Sequence, residues 1–430
     1  MSNRRNFLKK SAAFASLSFF PSSLISQLKN SHLRTAHIGV GGMGGADLNS
    51  ISSHKLVDVV ALCDVDSNAL DKAKKLHPNA KIFSDYRKLF NKISNSIDAV
   101  IVSTPDHTHA PASMMAMNMR KSVYCQKPLT HHVSEAREMK KLAEENNLVT
   151  QMGIQIHSFD EYKSAVILIQ SGIIGKVSTV RAWSPKNWGY DGIEPEGSDP
   201  IPENLDWNLW LGTAKKRPYK DKIYHPVQWR KLLDYGCGTL GDMGVHIFDT
   251  PYAALDLDVP NTVKNECRKS NGFGHPEHNK VSYVFPGTRY TTENLKWVWY
   301  DGEGAPKKHK DLILPNEEKL PDQGAIFIGD KGRLLLPHWD FPKLIVNEKY
   351  EKLDYPKLDK SDHYHQFVDA CLGKDKCSAP FSYASRLTET ILLGVIAGRF
   401  PNKVLHWNNE NAKFSEEEAN KFLESKYRDF

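Results

Sequence analysis

Beyond its first 30 residues the sequence has no apolar run long enough to span a membrane, no C-x-x-C pair, no histidine-rich tract and no low-complexity segment. The first absence leaves no candidate for a membrane-crossing helix after the head. The second and third leave no ligand set for a metal. Cysteines are few and far apart, at 63, 125, 237, 267, 371 and 377, which excludes the disulfide framework of a small secreted scaffold. Only Cys371 and Cys377, in "CLGKDKC", are close enough in sequence for a bridge, and two separate thiols read equally well. The body also lacks charge of one sign. The formal net charge is +6, but Arg4, Arg5, Lys9, Lys10 and Lys29 carry five of those charges with no acid before residue 31, leaving +1 for the rest. A near-neutral body gives no electrostatic case for nucleic acid as a partner. What is present is 430 residues, 40% hydrophobic and 25% charged. That is the composition of a soluble globular chain too long for one comfortable core, so two domains are expected.

The head is different. "MSNRRNFLKK" sets Arg4 and Arg5 before Phe7, Leu8 and Lys9, and a short apolar run from Ser11 to Phe20 follows. A basic segment and a short hydrophobic one make a targeting signal, with no stable membrane association. The string resembles the twin-arginine (Tat) signal, whose route exports folded proteins to the periplasm. Residues 1–30 are therefore set apart as a signal peptide, with no cysteine after them to take a lipid.

Residues 31–155 read as a nucleotide-binding sheet. Ala36–Val40 is a short β-run, and Gly39, Gly41 and Gly44 make G-x-G-x-x-G, with Gly42 and Met43 inside the loop. Such glycines allow a tight turn, a close backbone approach to a pyrophosphate and close helix packing, and the next helix N-terminus supplies N–H groups to the phosphates. A second β-run, "LVDVVALCD", ends at Asp64, twenty residues past Gly44. A carboxylate there accepts from a ribose diol and repels a 2′-phosphate, which favours NAD over NADP. The alternation continues through "DAVIVSTP", a helix over 109–119, "KSVYCQKP", a helix over 133–145 and "LVTQMGIQ". Apolar β-runs separated by helices form a parallel, doubly wound sheet, with ligands beyond its carboxyl ends. Thr104, Pro105, His109, Gln126, Lys127 and Gln155 lie at such ends.

"IGVGGMGG", "STPDHTHA", "YCQKPLT" and "GCGTLGDMGVH", in that order, resemble the glucose–fructose oxidoreductase/inositol dehydrogenase/MocA (Gfo/Idh/MocA) family. "FIGDKGRLLL" and "TETILLGVIAGR" extend the resemblance to nearly the whole chain after the head. It implies a Rossmann domain followed by an α+β domain, over 156–430, with a large, mainly antiparallel open sheet. It also implies NAD, a carbohydrate substrate and a homodimer or homotetramer built on that sheet. An aromatic strand such as Trp297–Tyr300 suits the oligomer face, and simple packing explains it nearly as well. C-terminal helices over 361–400 are expected to pack back on the Rossmann domain. One departure stands out: the family usually reads Glu-Lys-Pro where this chain has Gln126-Lys127-Pro128.

In the second half the chemistry gathers in "YHPVQWRKLLDYGCGTLGDMGVHIFDTPY". A helix from about residue 239 sets Asp242 and His246 four apart, on one face. The pair matches the family's catalytic pair residue by residue, and Lys127 is the third member. Taking hydride from a carbinol carbon requires removal of its O–H proton, by His246 or Lys127, and Lys127 also donates to the developing charge. Asp242 is expected to orient the imidazole. For the sugar, aromatic faces and hydroxyl-binding cations nominate Lys186, Trp188, Tyr224, His225, Trp229 and Arg230, with His157 as a further candidate. No metal is assigned.

A Tat-type head before a dinucleotide fold has a chemical consequence. Free NAD is absent outside the cytoplasm, so an exported enzyme carries its cofactor bound and each turnover returns it to its starting state. Two chemistries close that cycle: coupled oxidation and reduction of two sugars, or NAD-dependent glycoside cleavage through transient C3 oxidation and elimination. A non-catalytic periplasmic sugar-binding protein is the opposing class.

Overall fold

The structure is a computed structural model and describes residues 32–306 and 308–430. The head assigned to export lies outside the described residues. Six parallel strands make the first sheet: β1 (Leu33–Ile38), β2 (Val57–Cys63), β3 (Lys81–Phe83), β4 (Ala99–Val102), β5 (Ser122–Gln126) and β6 (Thr150–Gly153). Their order, β3-β2-β1-β4-β5-β6, reverses direction between β1 and β4. That switch point opens a crevice at the carboxyl ends of the strands. The strands form because both faces are covered: every residue of β4, Ala-Val-Ile-Val, is buried. Asp85 and Asp66 cap the helices that follow, accepting from Arg87 N and Asn68 N. The helix expected over 109–119 starts earlier, at Asp106, and runs to Asn118.

The second sheet has ten strands. They are β7 (Val177–Trp183), β8 (Thr262–Glu266), β9 (Lys280–Pro286), β10 (Thr291–Tyr300), β11 (Gly324–Gly329), β12 (Arg333–Pro337), β13 (Lys343–Val346), β14 (Lys349–Glu351), β15 (Val404–Asn408) and β16 (Lys413–Phe414). Every pairing is antiparallel except β7 with β10. Alternation in β9 buries Val281, Tyr283 and Phe285 on one face.

For the aromatic strand the structure favours packing over the oligomer face. Trp297 and Trp299 are fully buried, and Trp297 stacks on Phe248 at 4.2 Å. Phe248 belongs to the helix Val245–Ala254, so the tryptophans face the helical layer rather than the open face of the sheet. Burying each of these aromatic rings contributes about 1.5–3 kcal/mol and seats the helix that carries His246.

C-terminal helices do return to the first domain. Phe367, Val368 and Leu372, of His363–Cys371 or just past it, share a core with Leu33, Ile51, Ile101 and Tyr124. From the helix Phe381–Ala397, Glu389 takes a bidentate contact from Arg137, at 2.9 and 2.7 Å. All six cysteines are free thiols, Cys371 and Cys377 included.

Candidate active site

A cleft of about 710 Å³ runs along the switch point. Its floor is the glycine turn. Gly39 has φ +81°, and a Cβ there would stand 2.6 Å from the Ser103 carbonyl oxygen. A Cβ on Gly44 would stand 2.2 Å from the Gly39 carbonyl oxygen, so this glycine lets the helix Met43–Ser52 close on the strand, and it does not line the cleft. Gly39, Gly41, Gly42 and Met43 do line it, with Asp64, Thr104, Pro105, His109, Gln126, Lys127 and Gln155. Bare backbone at a helix start is the surface a pyrophosphate needs. The Gln155 Oε1 atom is a buried acceptor on this wall with no donor in the protein. These residues fit a dinucleotide.

Asp64 is less free than its sequence position implies. Its two oxygens accept from Val40 N and Asp66 N, at 2.8 and 2.9 Å, so it braces the glycine turn as well as facing the cleft. Burial pushes its carboxyl above the usual range, against those bonds. His109 sits buried between the Thr104 and Pro128 carbonyls, 2.8 Å from each, and ties two strand ends together.

At the strand ends Lys127 donates to Asp242 Oδ1 at 2.9 Å and to the Asp242 carbonyl at 2.8 Å. Asp242 lies in a π-helical turn, Leu240–Gly244, that leads into the helix of His246; such turns recur at functional sites. The turn is held against the first domain by Cys237 N donating to buried Asp106, at 3.0 Å. Trp188 Nε1 donates to Asp242 Oδ2 at 2.6 Å, and Arg230 Nε stands 3.4 Å from Oδ1. Burial opposes charge on Asp242, but Lys127 and Arg230 outweigh it and hold the carboxyl well below the usual range. Asp242 therefore does not orient the imidazole as expected. Its oxygens are taken by stronger donors, and His246 Nδ1 is buried without a partner. Burial, then the charge of Lys127, keeps the His246 ring well below the ordinary histidine range, so it is neutral at pH 7. Lys127, Asp242, His246, Trp229 and Arg230 all line the same cleft.

Four substrate candidates, Tyr224, His157, Lys186 and Trp188, do not line the cleft. Tyr224 is 1% exposed in an aromatic cluster with Trp207 and Tyr235, because that packing buries more of its ring than a cleft wall offers. His225 lines the cleft but is drawn by Asp66, at 3.1 Å, to the far end beyond β2, on the ribose side. His157 is bound by Asp249 at 2.9 Å and serves packing. Lys186 is exposed and away from the cleft. Trp188 touches the site through Asp242, but Arg230 and Lys231 lie over its ring, at 5.8 and 6.0 Å.

Sequence reasoning missed Asp47. It is fully buried on the helix Met43–Ser52 and accepts from Ser103 Oγ at 2.6 Å and from Gln126 Nε2 at 2.9 and 3.0 Å. Burial raises its carboxyl to about 6, against the bonds from Ser103, Gln126 and Tyr364. A carboxylate at position 126 would meet this one at hydrogen-bond distance. The amide side chain thus turns to Asp47 and does not touch Lys127 Nζ. An acid in the helix of a glycine fingerprint was the available signal.

The chain is 22% identical over 287 residues to the D-xylose 1-dehydrogenase [NADP(+)] of Haloarcula marismortui, covering 66% of this chain and 67% of that one. It is 28% identical over 150 residues to the inositol 2-dehydrogenase of Salmonella typhimurium, covering 34% of this chain and 43% of that one. The chain spans less than half the length of several other relatives it matches. Among solved structures, a levoglucosan dehydrogenase in complex with NADH and L-sorbose superposes with a TM-score of 0.61, at 14% identity, covering 87% of this chain and 99% of that one. The oxidoreductase family's NAD-binding Rossmann fold matches residues 33–154 and its C-terminal alpha/beta domain matches residues 160–430. The chain belongs to the Gfo/Idh/MocA oxidoreductase family and binds NAD through its Rossmann domain.

Proposed function

We propose that the protein oxidises a ring hydroxyl of a carbohydrate and keeps its NAD bound from one turnover to the next, in the periplasm. The observation that carries the reading is Lys127 paired with Asp242 at 2.9 Å on a wall shared with His246. When bound, NAD supplies the hydride acceptor. The chain's own groups handle the oxygen and its proton. Lys127 Nζ donates to the substrate oxygen as charge grows there, and Asp242 holds that ammonium in place. Neutral His246 is free to take the hydroxyl proton. Arg230, whose guanidinium lies over the Trp229 ring at 4.2 Å, offers a hydroxyl donor on the cleft wall.

Retention is supported by how the cleft is walled. Leu209, Trp210 and Val227, from the second domain, line it. Asp66 holds that segment against β2, accepting from Asn204 Nδ2 at 2.7 Å and pairing with His225. The twin-arginine head supports export of the loaded protein. Denaturing the native protein should release about one NAD per chain. Turnover should proceed without added nucleotide and with no NADH accumulating. Strict dependence on added NAD, with stoichiometric NADH release, would instead make it a plain dehydrogenase with an exchangeable cofactor.

One observation favours glycoside cleavage as a second reading. Elimination needs a further group to handle the C–H proton. His338 stands 6.2 Å, ring to ring, from His246, and burial keeps it near 4 and therefore neutral.

A further inference from the structure

Trp339 contradicts two rules of folding at once. Its indole is 67% exposed, and it is the only exposed tryptophan among the described residues. Its backbone has φ +72°, a turn conformation that glycine or asparagine adopts freely and a bulky residue adopts under strain. Neither feature stabilises the free protein. Yet the segment is fixed. His338 N donates to the Gln323 carbonyl at 2.9 Å, and the Tyr162 hydroxyl pairs with His338 Nδ1 at 2.5 Å. Tyr162 is itself buried on the helix Asp160–Gln170.

The same anchored pair leads to the active site. The His338 ring is 5.3 Å from Trp339 and 6.2 Å from His246. The exposed indole therefore lies no farther from the catalytic imidazole than those two spans laid end to end, about the length of a disaccharide. Neither His338 nor Trp339 belongs to the dinucleotide cleft.

We propose that Trp339 is a second carbohydrate subsite, a stacking platform for the ring attached to the sugar that reacts. The inference rests on the carbohydrate reading above and sharpens it: the substrate class is a glycoside, not a free monosaccharide. An indole face takes a pyranose C–H surface or an aryl aglycone without a directional partner, which suits a group held at the edge of the site. Tyr162 is a positioning residue that presents it by anchoring His338.

The test is binding by calorimetry to the nucleotide-loaded full chain, using p-nitrophenyl hexosides and the matching free hexoses. The native protein should bind the best hexoside more tightly than its hexose. Trp339→Ala should lose about tenfold in affinity for the hexoside and nothing for the hexose, with Trp339→Phe keeping most of it. Trp339→Asn should lose the same affinity yet melt at a higher temperature, since the strained turn is relieved. Unchanged hexoside affinity in Trp339→Ala, or an equal loss for hexose and hexoside, would overturn the subsite while leaving the sugar reading intact. A changed mass in solution with hexoside affinity kept would assign Trp339 to an interface between copies and overturn it too. A native protein that binds no member of the panel overturns both.

Discussion

Gln126 donates its side-chain amide to both oxygens of Asp47, at 3.0 and 2.9 Å, in a space that excludes water. This relationship accounts for an amide at position 126, because one such buried space holds only one charge and Asp47 already carries it. Gln126→Glu should therefore place two carboxylates in contact, and they would titrate as a coupled pair. At pH 8 the variant should be less stable by roughly 2–4 kcal/mol, the cost of a carboxyl displaced by two to three units. Asp47→Asn in the same chain should restore most of it. Denaturant unfolding of the four proteins measures the coupling, and simple additivity would remove the explanation.

Asp47 has a pH signature of its own. Its folded value is raised to about 6 from 3.8, so between those values the folded state binds more protons than the unfolded one. Stability from this group therefore falls as pH rises from about 4 to about 6, by roughly 3 kcal/mol in all, and stays lower above that. Asp47→Asn should flatten this part of the profile. Melting temperatures of both proteins across pH 4–8 read the difference directly.

His246 and Lys127 separate by their effects. Truncating His246 to Ala should lower kcat by about a hundredfold or more while changing stability little, because its Nδ1 is buried without a partner. Since burial and Lys127 hold the ring below the ordinary histidine value of 6.5, the acid limb of kcat/KM should lie below that value in the native enzyme. Lys127→Met should cost kcat at least as much. It should also destabilise the fold, since Asp242 would keep only Arg230, at 3.4 Å, as its charged partner. A pH–rate profile and thermal melts of the two variants check both statements.

Much of this site was legible because local chemistry fixed it. The glycine turn, the parallel strands and the strand-end Lys127 follow from spacing, since a tight phosphate turn and a doubly covered sheet tolerate few other sequences. The helix of Asp242 and His246 was legible too, but the partner of Asp242 was not. Spacing of four says that two side chains share a face, and it cannot say that Lys127, 115 positions earlier, arrives first. Tyr224 and Trp229 look alike in sequence. Both are buried in one cluster with Trp207 and Tyr235, and only packing decides that Trp229 also reaches the cleft wall while Tyr224 does not. The same limit hid Asp47 and His338, whose roles depend on what the opposite element presents.

Asp64 tests nucleotide choice with a built-in complication. Asp64→Ala should relax the preference for NAD over NADP, because it removes the charge that repels a 2′-phosphate. It should also strand the Val40 and Asp66 backbone N–H groups, costing about 1–3 kcal/mol of stability. Asp64→Asn keeps an acceptor for one of them and should relax the preference with a smaller loss. Nucleotide content of the purified variants, read beside their melting temperatures, separates recognition from bracing.

The two chemistries proposed for the site differ in the fate of one carbon-bound hydrogen. Oxidation of a ring hydroxyl at C3 acidifies the proton at C2. If the enzyme then eliminates the glycosidic oxygen and adds water, a solvent proton must enter at C2. Hydrolysis of an aryl glycoside in deuterated water should therefore give free sugar with deuterium at C2, and NMR of the product reports it. On this proposed route His338, 6.2 Å ring to ring from His246, would be the extra neutral base. His338→Ala should then slow glycoside cleavage by about a hundredfold and leave exchange of hydride between two free sugars nearly untouched. A coupled sugar oxidoreductase behaves otherwise: no C2 deuterium, a reduced second sugar, and no particular need for His338. Deuterium retained at C2 in the product, together with loss of cleavage in His338→Ala, decides for elimination; unlabelled product decides against it.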